Sequence, residues 1–152
     1  PKAVREFWLP SLLREQMEGI GRKPRFVLSE VEGVSDQLRA MGEQRADSQL
    51  LLLNDRALIH AYLTYDSSRS RARAGRLVRE WFDHEPMLTR STPLAYTMLL
   101  RTAARFFWHV KQQDEWFHVM RWFQRTVTAH DLKHQWSAAK HEFGVTLEQM
   151  SS

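Results

Sequence analysis

Arginine supplies most of the chemistry this sequence can offer, and it recurs at helical spacing in three places. Arg69, Arg73 and Arg76 stand at i, i+4 and i+7. Arg101, Arg105 and Trp108 repeat that spacing, and His118, Arg121 and Arg125 make a third row at i, i+3 and i+7. Residues at these separations share one face of a helix. Each row therefore predicts a strip of cationic side chains suited to planar, bidentate capture of carboxylate or phosphate. Solvated helix faces show the same spacing, because surface arginine is common. Binding is favoured by the placing of all three rows on consecutive predicted helices, which are usually spatial neighbours. Between residues 67 and 125 eleven Arg/Lys stand against five Asp/Glu, a local net charge of +6 in a chain whose total is +4. A charge so concentrated points to an anionic partner.

The aromatic residues overlap these rows. Residues 96–125 hold three of the six tryptophans and four of the eight phenylalanines. Phe106, Phe107, Trp116 and Phe123 fall on apolar faces and are predicted core. Trp108 and Trp122 fall nearer the arginines, where they can stack on guanidinium groups or on nucleobases. The expected partner-binding set is thus Arg69, Arg73, Arg76, Arg101, Arg105, Trp108, Arg121 and Arg125.

Little else is arranged for chemistry. There is no cysteine, which removes disulfides, thiolate nucleophiles and Cys-ligated zinc. His130, His134 and His141 share a helical face, with His130 and His134 at i, i+4, but the catalytic H-E-x-x-H motif is absent. Solvated histidines are the expectation, and neither a metal nor a cofactor is expected. No Gly-rich phosphate loop, G-x-S-x-G elbow or acid/base carboxylate pair is present, so the chain is expected not to be an enzyme.

The elements that must carry these residues read as helices throughout, and the fold class is all-α. The 152 residues, 43% hydrophobic and 26% charged, suit one domain of about six to seven packed antiparallel helices. N-terminal helices and a linker occupy 1–42, and the main helical array occupies 48–144. "VREFW" and "PSLLREQMEGIG" open the chain as short helices, and "RKPRFVL" reads as an extended basic linker because the residue before proline avoids helical space. Ser29 with Glu32 makes a capping box, Val31, Val34, Leu38 and Met41 follow at helical spacing, and Gly42 stops that helix. A helix over 48–65 comes next, then one starting at Ser67 or Ser68 whose stripe is Ala74, Leu77, Val78, Trp81 and Phe82. Thr92–Pro93 starts a helix burying Leu94, Ala95, Met98, Leu99, Ala103, Phe106, Phe107 and Val110. Asp114 caps a helix with Trp116, Val119, Met120, Phe123 and Val127 inside, and a last one places Leu132, Trp136, Ala139 and Phe143 inward before Gly144. "RALIHAYL" with "RLVREWF" is patterned like "PLAYTMLLR" with "HVMRWFQ", a faint repeat of helical hairpins. No signal peptide or membrane-spanning run is evident. The chain opens on Pro1 rather than methionine, which suggests an excised domain or processed fragment.

"LNDRALIHAYLTYDSSRSRARAGRLV" and "YTMLLRTAARFFWHVKQQDEWFHVMRWFQR" resemble segments of the DotM/IcmP/TrbA family, across roughly residues 50–143. The matching positions are Tyr96, Thr97, Ala104, Arg105, Phe106, Trp108, Lys111, Asp114, Trp116, Phe117 and Arg125. Gln112 and Gln124 depart from that family's Pro and Gly. The resemblance implies the cytoplasmic domain of a bacterial inner-membrane subunit of a type IV secretion or conjugation machine, one that associates with the coupling ATPase and offers a basic surface to acidic segments of secreted proteins. The expected function is therefore a non-catalytic adaptor docking protein partners, with no membrane contact by this fragment itself. The alternative is a helical-repeat, pentatricopeptide-like RNA-binding protein, in which Arg101, Arg105 and Trp108 make the phosphate and stacking contacts.

Overall fold

In a computed structural model the chain is all-helical. The structure describes residues 24–83 and 91–144, and among them are six helices and no strand. These are α1 Pro24–Arg45, α2 Ser48–Tyr65, α3 Ser68–Asp83, α4 Pro93–His109, α5 Gln113–His130 and α6 Lys133–Phe143. The chain divides into two compact units, residues 1–84 and 85–152. Helices α1–α3 belong to the first and α4–α6 to the second. The division falls within the tract 48–144, and α1 packs along α2. The short helices expected before residue 24 lie outside the described residues.

Tight left-handed turns join the helices inside each unit. After α1, Asp47 N–H bonds to Gly42 C=O and Ala46 N–H to Glu43 C=O, with Ala46 at φ 53°. After α4, Gln112 N–H bonds to Phe107 C=O and Lys111 N–H to Trp108 C=O, with Lys111 at φ 62°. Both are Schellman closures, which satisfy the last carbonyls and reverse the chain in two or three residues. Asp66, Asp131 and Gly144 close α2, α5 and α6 in the same left-handed conformation. The starts are equally local. Ser67 and Ser70 exchange side-chain-to-backbone bonds at the head of α3, Ser70 N–H donating to Ser67 Oγ at 3.0 Å and Ser67 N–H to Ser70 Oγ at 2.8 Å. Thr92 accepts from Ala95 N–H at 3.2 Å, ahead of Pro93 in the first turn of α4.

Three expected ends move. Helix α1 begins at Pro24, not after Ser29, because the restriction imposed by a proline falls on the preceding residue and leaves Pro24 itself free to open a helix. Ser29 is an exposed interior residue of α1. Gly42 does not stop α1, which runs on to Arg45. A Cβ at Gly42 would stand 2.7 Å from Leu51 Cδ2, so glycine is there to let α2 approach. Asp114 is not a cap; Gln112 holds that position without a side-chain bond, and Asp114 and Glu115 lie in the first turn of α5, facing its dipole.

In the first unit α1 and α3 both pack along α2. Leu28, Val31, Ser35, Leu38 and Gly42 form the buried stripe of α1. Helix α2 is buried on more than one side through Leu52, Asn54, Leu58, Ile59, Ala61, Tyr62 and Leu63, because α1 and α3 both pack on it. Ala74, Leu77, Val78 and Trp81 face it from α3. In the second unit α5 presents all five expected residues, Trp116, Val119, Met120, Phe123 and Val127, to α4. Leu94 departs from expectation at 49% exposed. The hairpins α2–α3 and α4–α5 are the two copies of the faint repeat, but their second helices are out of register. Trp81 is the buried member of Trp81–Phe82, whereas Phe123 is the buried member of Trp122–Phe123.

Two glycines of α1 test this account. Gly33 is exposed and a Cβ there meets nothing within 4 Å. Gly33→Ala should raise stability by roughly 0.5–1 kcal/mol in urea unfolding, from restricted unfolded-chain entropy alone. Gly42→Ala should gain less than Gly33→Ala, because its new methyl must displace the Leu51 side chain.

Candidate functional site

The first arginine row is divided between neighbours and solvent. Glu32 of α1, Tyr62 of α2 and Arg73 of α3 meet on one carboxylate oxygen. Tyr62 Oη donates to Glu32 Oε2 at 3.0 Å and Arg73 Nη1 lies 2.5 Å from the same atom. Burial, then the Glu32 charge and hydrogen bond, push the Tyr62 hydroxyl up to about 12, so it stays protonated as a donor. A second junction joins Arg39 Nη2 to Asp55 Oδ1 at 3.2 Å and Trp81 Nε1 to Asp55 Oδ2 at 3.3 Å. Burial raises the Asp55 carboxyl above its ordinary value, and Arg39 works against that rise. Both junctions staple the three helices. Beside them runs a groove of about 250 Å³ lined by Glu32, Asp36, Arg39, Arg73, Arg76 and Glu80 among others. Its acids and bases balance, so it offers no net attraction to an anion. Arg69 and Arg76 remain exposed on α3.

The second row is occupied from within its own unit. Arg105 makes a bidentate pair with Glu142 of α6, its Nε donating to Oε1 at 2.7 Å and its Nη2 to Oε2. Arg101 lies 3.7 Å from Glu142 Oε2 through Nε and donates to Gln135 Oε1 at 3.0 Å through Nη1. Burial lowers the Arg101 pKa, which Glu142 opposes. These two arginines pin α6 to α4. Trp108, the third member, packs on rings instead of a carboxylate. Its ring packs 5.2 Å from Trp116 and 5.8 Å from Phe143, yet it stays 53% exposed.

The third row is exposed at every member. Arg121 and Arg125 are exposed on α5, and no carboxylate among the described residues lies within ion-pair distance of either. His118 stacks against Trp122 one turn on, ring centroids 4.9 Å apart. Charge follows the same division. The described part of the first unit balances nine Lys/Arg with nine Asp/Glu, while that of the second has seven against four and five histidines besides. His130, His134 and His141 are exposed, and no group of three potential metal ligands gathers among the described residues.

At the α4–α5 turn the second unit opens an apolar pocket of about 520 Å³, lined by Phe107, Trp108, Lys111, Gln113, Trp116 and Phe117. Trp108 and Phe117, the latter 38% exposed, form its mouth, and the buried Trp116 Nε1 has no hydrogen-bond partner. Trp116 and Phe107 were expected as core and Trp108 as a binding residue, whereas Lys111 and Phe117 were singled out only by the family resemblance and Gln113 not at all. The available signal was Phe117 and Lys111 lying off the apolar stripe beside a tryptophan. Glu142 was not anticipated, and Glu32 only as half of a capping box, because their arginine partners lie 37 and 41 residues away, beyond any helical spacing.

Fold and surface together define an all-α protein of helical hairpins in which, among the described residues, the second unit carries the excess of basic charge and the exposed rings of Trp108 and Phe117. No family model matches the chain, and no curated protein or solved structure matches it. Among the described residues no helix is long and apolar enough to cross a membrane.

Proposed function

We propose that this chain is a non-catalytic adaptor whose second unit docks acidic segments of partner proteins on the exposed face of α5. The observation that carries the reading is the contrast between the rows. Arg101 and Arg105 are neutralised by Glu142, whereas Arg121 and Arg125 stand exposed with no carboxylate of the described residues beside them. Arg73 likewise serves Glu32. The binding set is therefore narrower than the three rows: Arg69 and Arg76 are exposed but belong to a unit whose described charges balance, so Arg121 and Arg125, with Lys111 at the turn, are its centre. The resemblance to the DotM/IcmP/TrbA family supports placing the chain as the cytoplasmic domain of a secretion or conjugation subunit, with the coupling ATPase and acidic secreted segments as partners.

Exposed ion pairs contribute under ~1 kcal/mol each and are screened over about 8 Å at physiological salt. Binding through α5 alone is thus weak and salt-sensitive. The test is anisotropy of a labelled Glu-rich peptide and of a single-stranded RNA against the full chain across a salt series. Arg121→Glu with Arg125→Glu should abolish peptide binding with unchanged circular dichroism. Charge reversal at Arg73 or Arg105 is no substitute, because it sets like charges against Glu32 or Glu142 and unfolds what it tests. Wild-type peptide affinity in the Arg121/Arg125 double variant would refute the adaptor reading. Tight RNA binding with no peptide binding would replace it with the RNA-binding one, for which the exposed Trp108 ring is the stacking platform.

A further inference from the structure

We propose that the aromatic pocket at the α4–α5 turn takes one bulky apolar side chain of an extended acidic segment, whose carboxylates two and four residues away meet Arg121 and Arg125. This rests on the adaptor reading above and adds the feature that selects among acidic segments. The pocket is large enough for a single leucine- to phenylalanine-sized side chain, at about 520 Å³ open to solvent, and its walls are four aromatic rings. Lys111 is its one ionic lining side chain among the described residues and Asp114, three residues on, offsets that charge, so the pocket selects an apolar group while carboxylates are drawn to Arg121 and Arg125.

Spacing ties pocket to row. Phe117, Arg121 and Arg125 succeed one another at four-residue intervals on α5, a rise of about 6 Å per step. An extended chain returns a side chain to the same face every second residue, about 6.6–6.8 Å on. An apolar residue seated against Phe117 therefore presents its second and fourth successors to Arg121 and then Arg125. Asp114 lies on the same face as Arg121, seven residues earlier, and repels carboxylates from the pocket end. That fixes the order: the apolar anchor sits at the turn and the acids lie toward the C-terminal end of α5. The anchor also supplies what exposed ion pairs lack, a contact that salt does not screen.

The probe is a labelled seven-residue peptide, Ser-Leu-Ser-Glu-Ser-Glu-Ser, with its reversed-order counterpart to allow either chain direction. Two controls replace leucine by serine or both glutamates by glutamine. With the full chain, leucine to serine should weaken binding about tenfold or more. The leucine increment should survive high salt while the glutamate dependence fades. Phe117→Ser should erase the difference between leucine and serine peptides, and the salt series on wild-type protein keeps the test decisive should that variant fail to fold. Equal binding of leucine and serine peptides, sensitive to Arg121→Glu and Arg125→Glu, would overturn the anchor while leaving the adaptor reading intact. No binding of any acidic peptide would overturn both, and displacement of the leucine peptide by oligouridylate at comparable affinity would make the pocket a base-stacking site instead.

Discussion

Trp116→Ala should lower the unfolding free energy by about 3–5 kcal/mol, the largest effect expected from any single truncation in the second unit. Trp116 is 3% exposed and its ring meets those of Trp108, Phe117 and Phe143 at centroid distances of 5.2, 5.0 and 5.6 Å. Alanine removes this shared wall from α4, α5 and α6 together, and the three remaining rings cannot close over the void without moving their helices. Trp116→Phe should cost far less, about 1 kcal/mol, because it keeps a ring and deletes an indole N–H that has no partner. Urea midpoints for the two variants separate the contributions. Equal losses would mean that the six-membered ring alone does not carry the packing.

Glu142→Ala should rank second, at roughly 2–4 kcal/mol, between an exposed pair at under ~1 and a fully buried pair at 3–5. Glu142 serves two arginines at once, and its side chain and that of Arg101 are mostly covered. Its loss leaves Arg101 half-buried beside Arg105, two like charges with no acid between them. The same change frees two cations, so nonspecific retention on a polyanion column should rise as the melting temperature falls. Glu142→Gln, which keeps the acceptor oxygen but not the charge, should fall between wild type and alanine. A variant that retained full stability would show that α6 is held by Phe143 and Ala139 alone.

Helix periodicity, which is local, was legible residue by residue. The core face of α5 follows from the spacing of Trp116, Val119, Met120, Phe123 and Val127, and the start of α4 follows from Thr92–Pro93, because caps and stripes are set by neighbours within four residues. The limits appear where one residue type serves two ends. Gly42 has the signature of a helix stop but acts as a contact for Leu51, and Glu32 has the spacing of a capping box but ends on Tyr62 and Arg73. Asn54 reads as the polar end of a leucine run, yet it is buried inside α2 with both side-chain atoms unpartnered.

The sequence by itself determined that this protein is helical, where most helices begin and end, and that arginines recur in three rows. Tertiary structure alone decided which arginines are available. An arginine looks the same in sequence whether it faces water or a carboxylate brought from 37 or 41 residues away. The free energy of that pairing depends on burial and geometry that no spacing encodes. Glu32 and Glu142 turned Arg73, Arg101 and Arg105 into staples, and the α4–α5 turn placed Trp108 and Phe117 around a pocket. What remained exposed was left by packing rather than by pattern: Arg69 and Arg76 in a unit whose described charges balance, and Arg121 and Arg125 on α5, with Lys111 at the turn, in a unit with an excess of base.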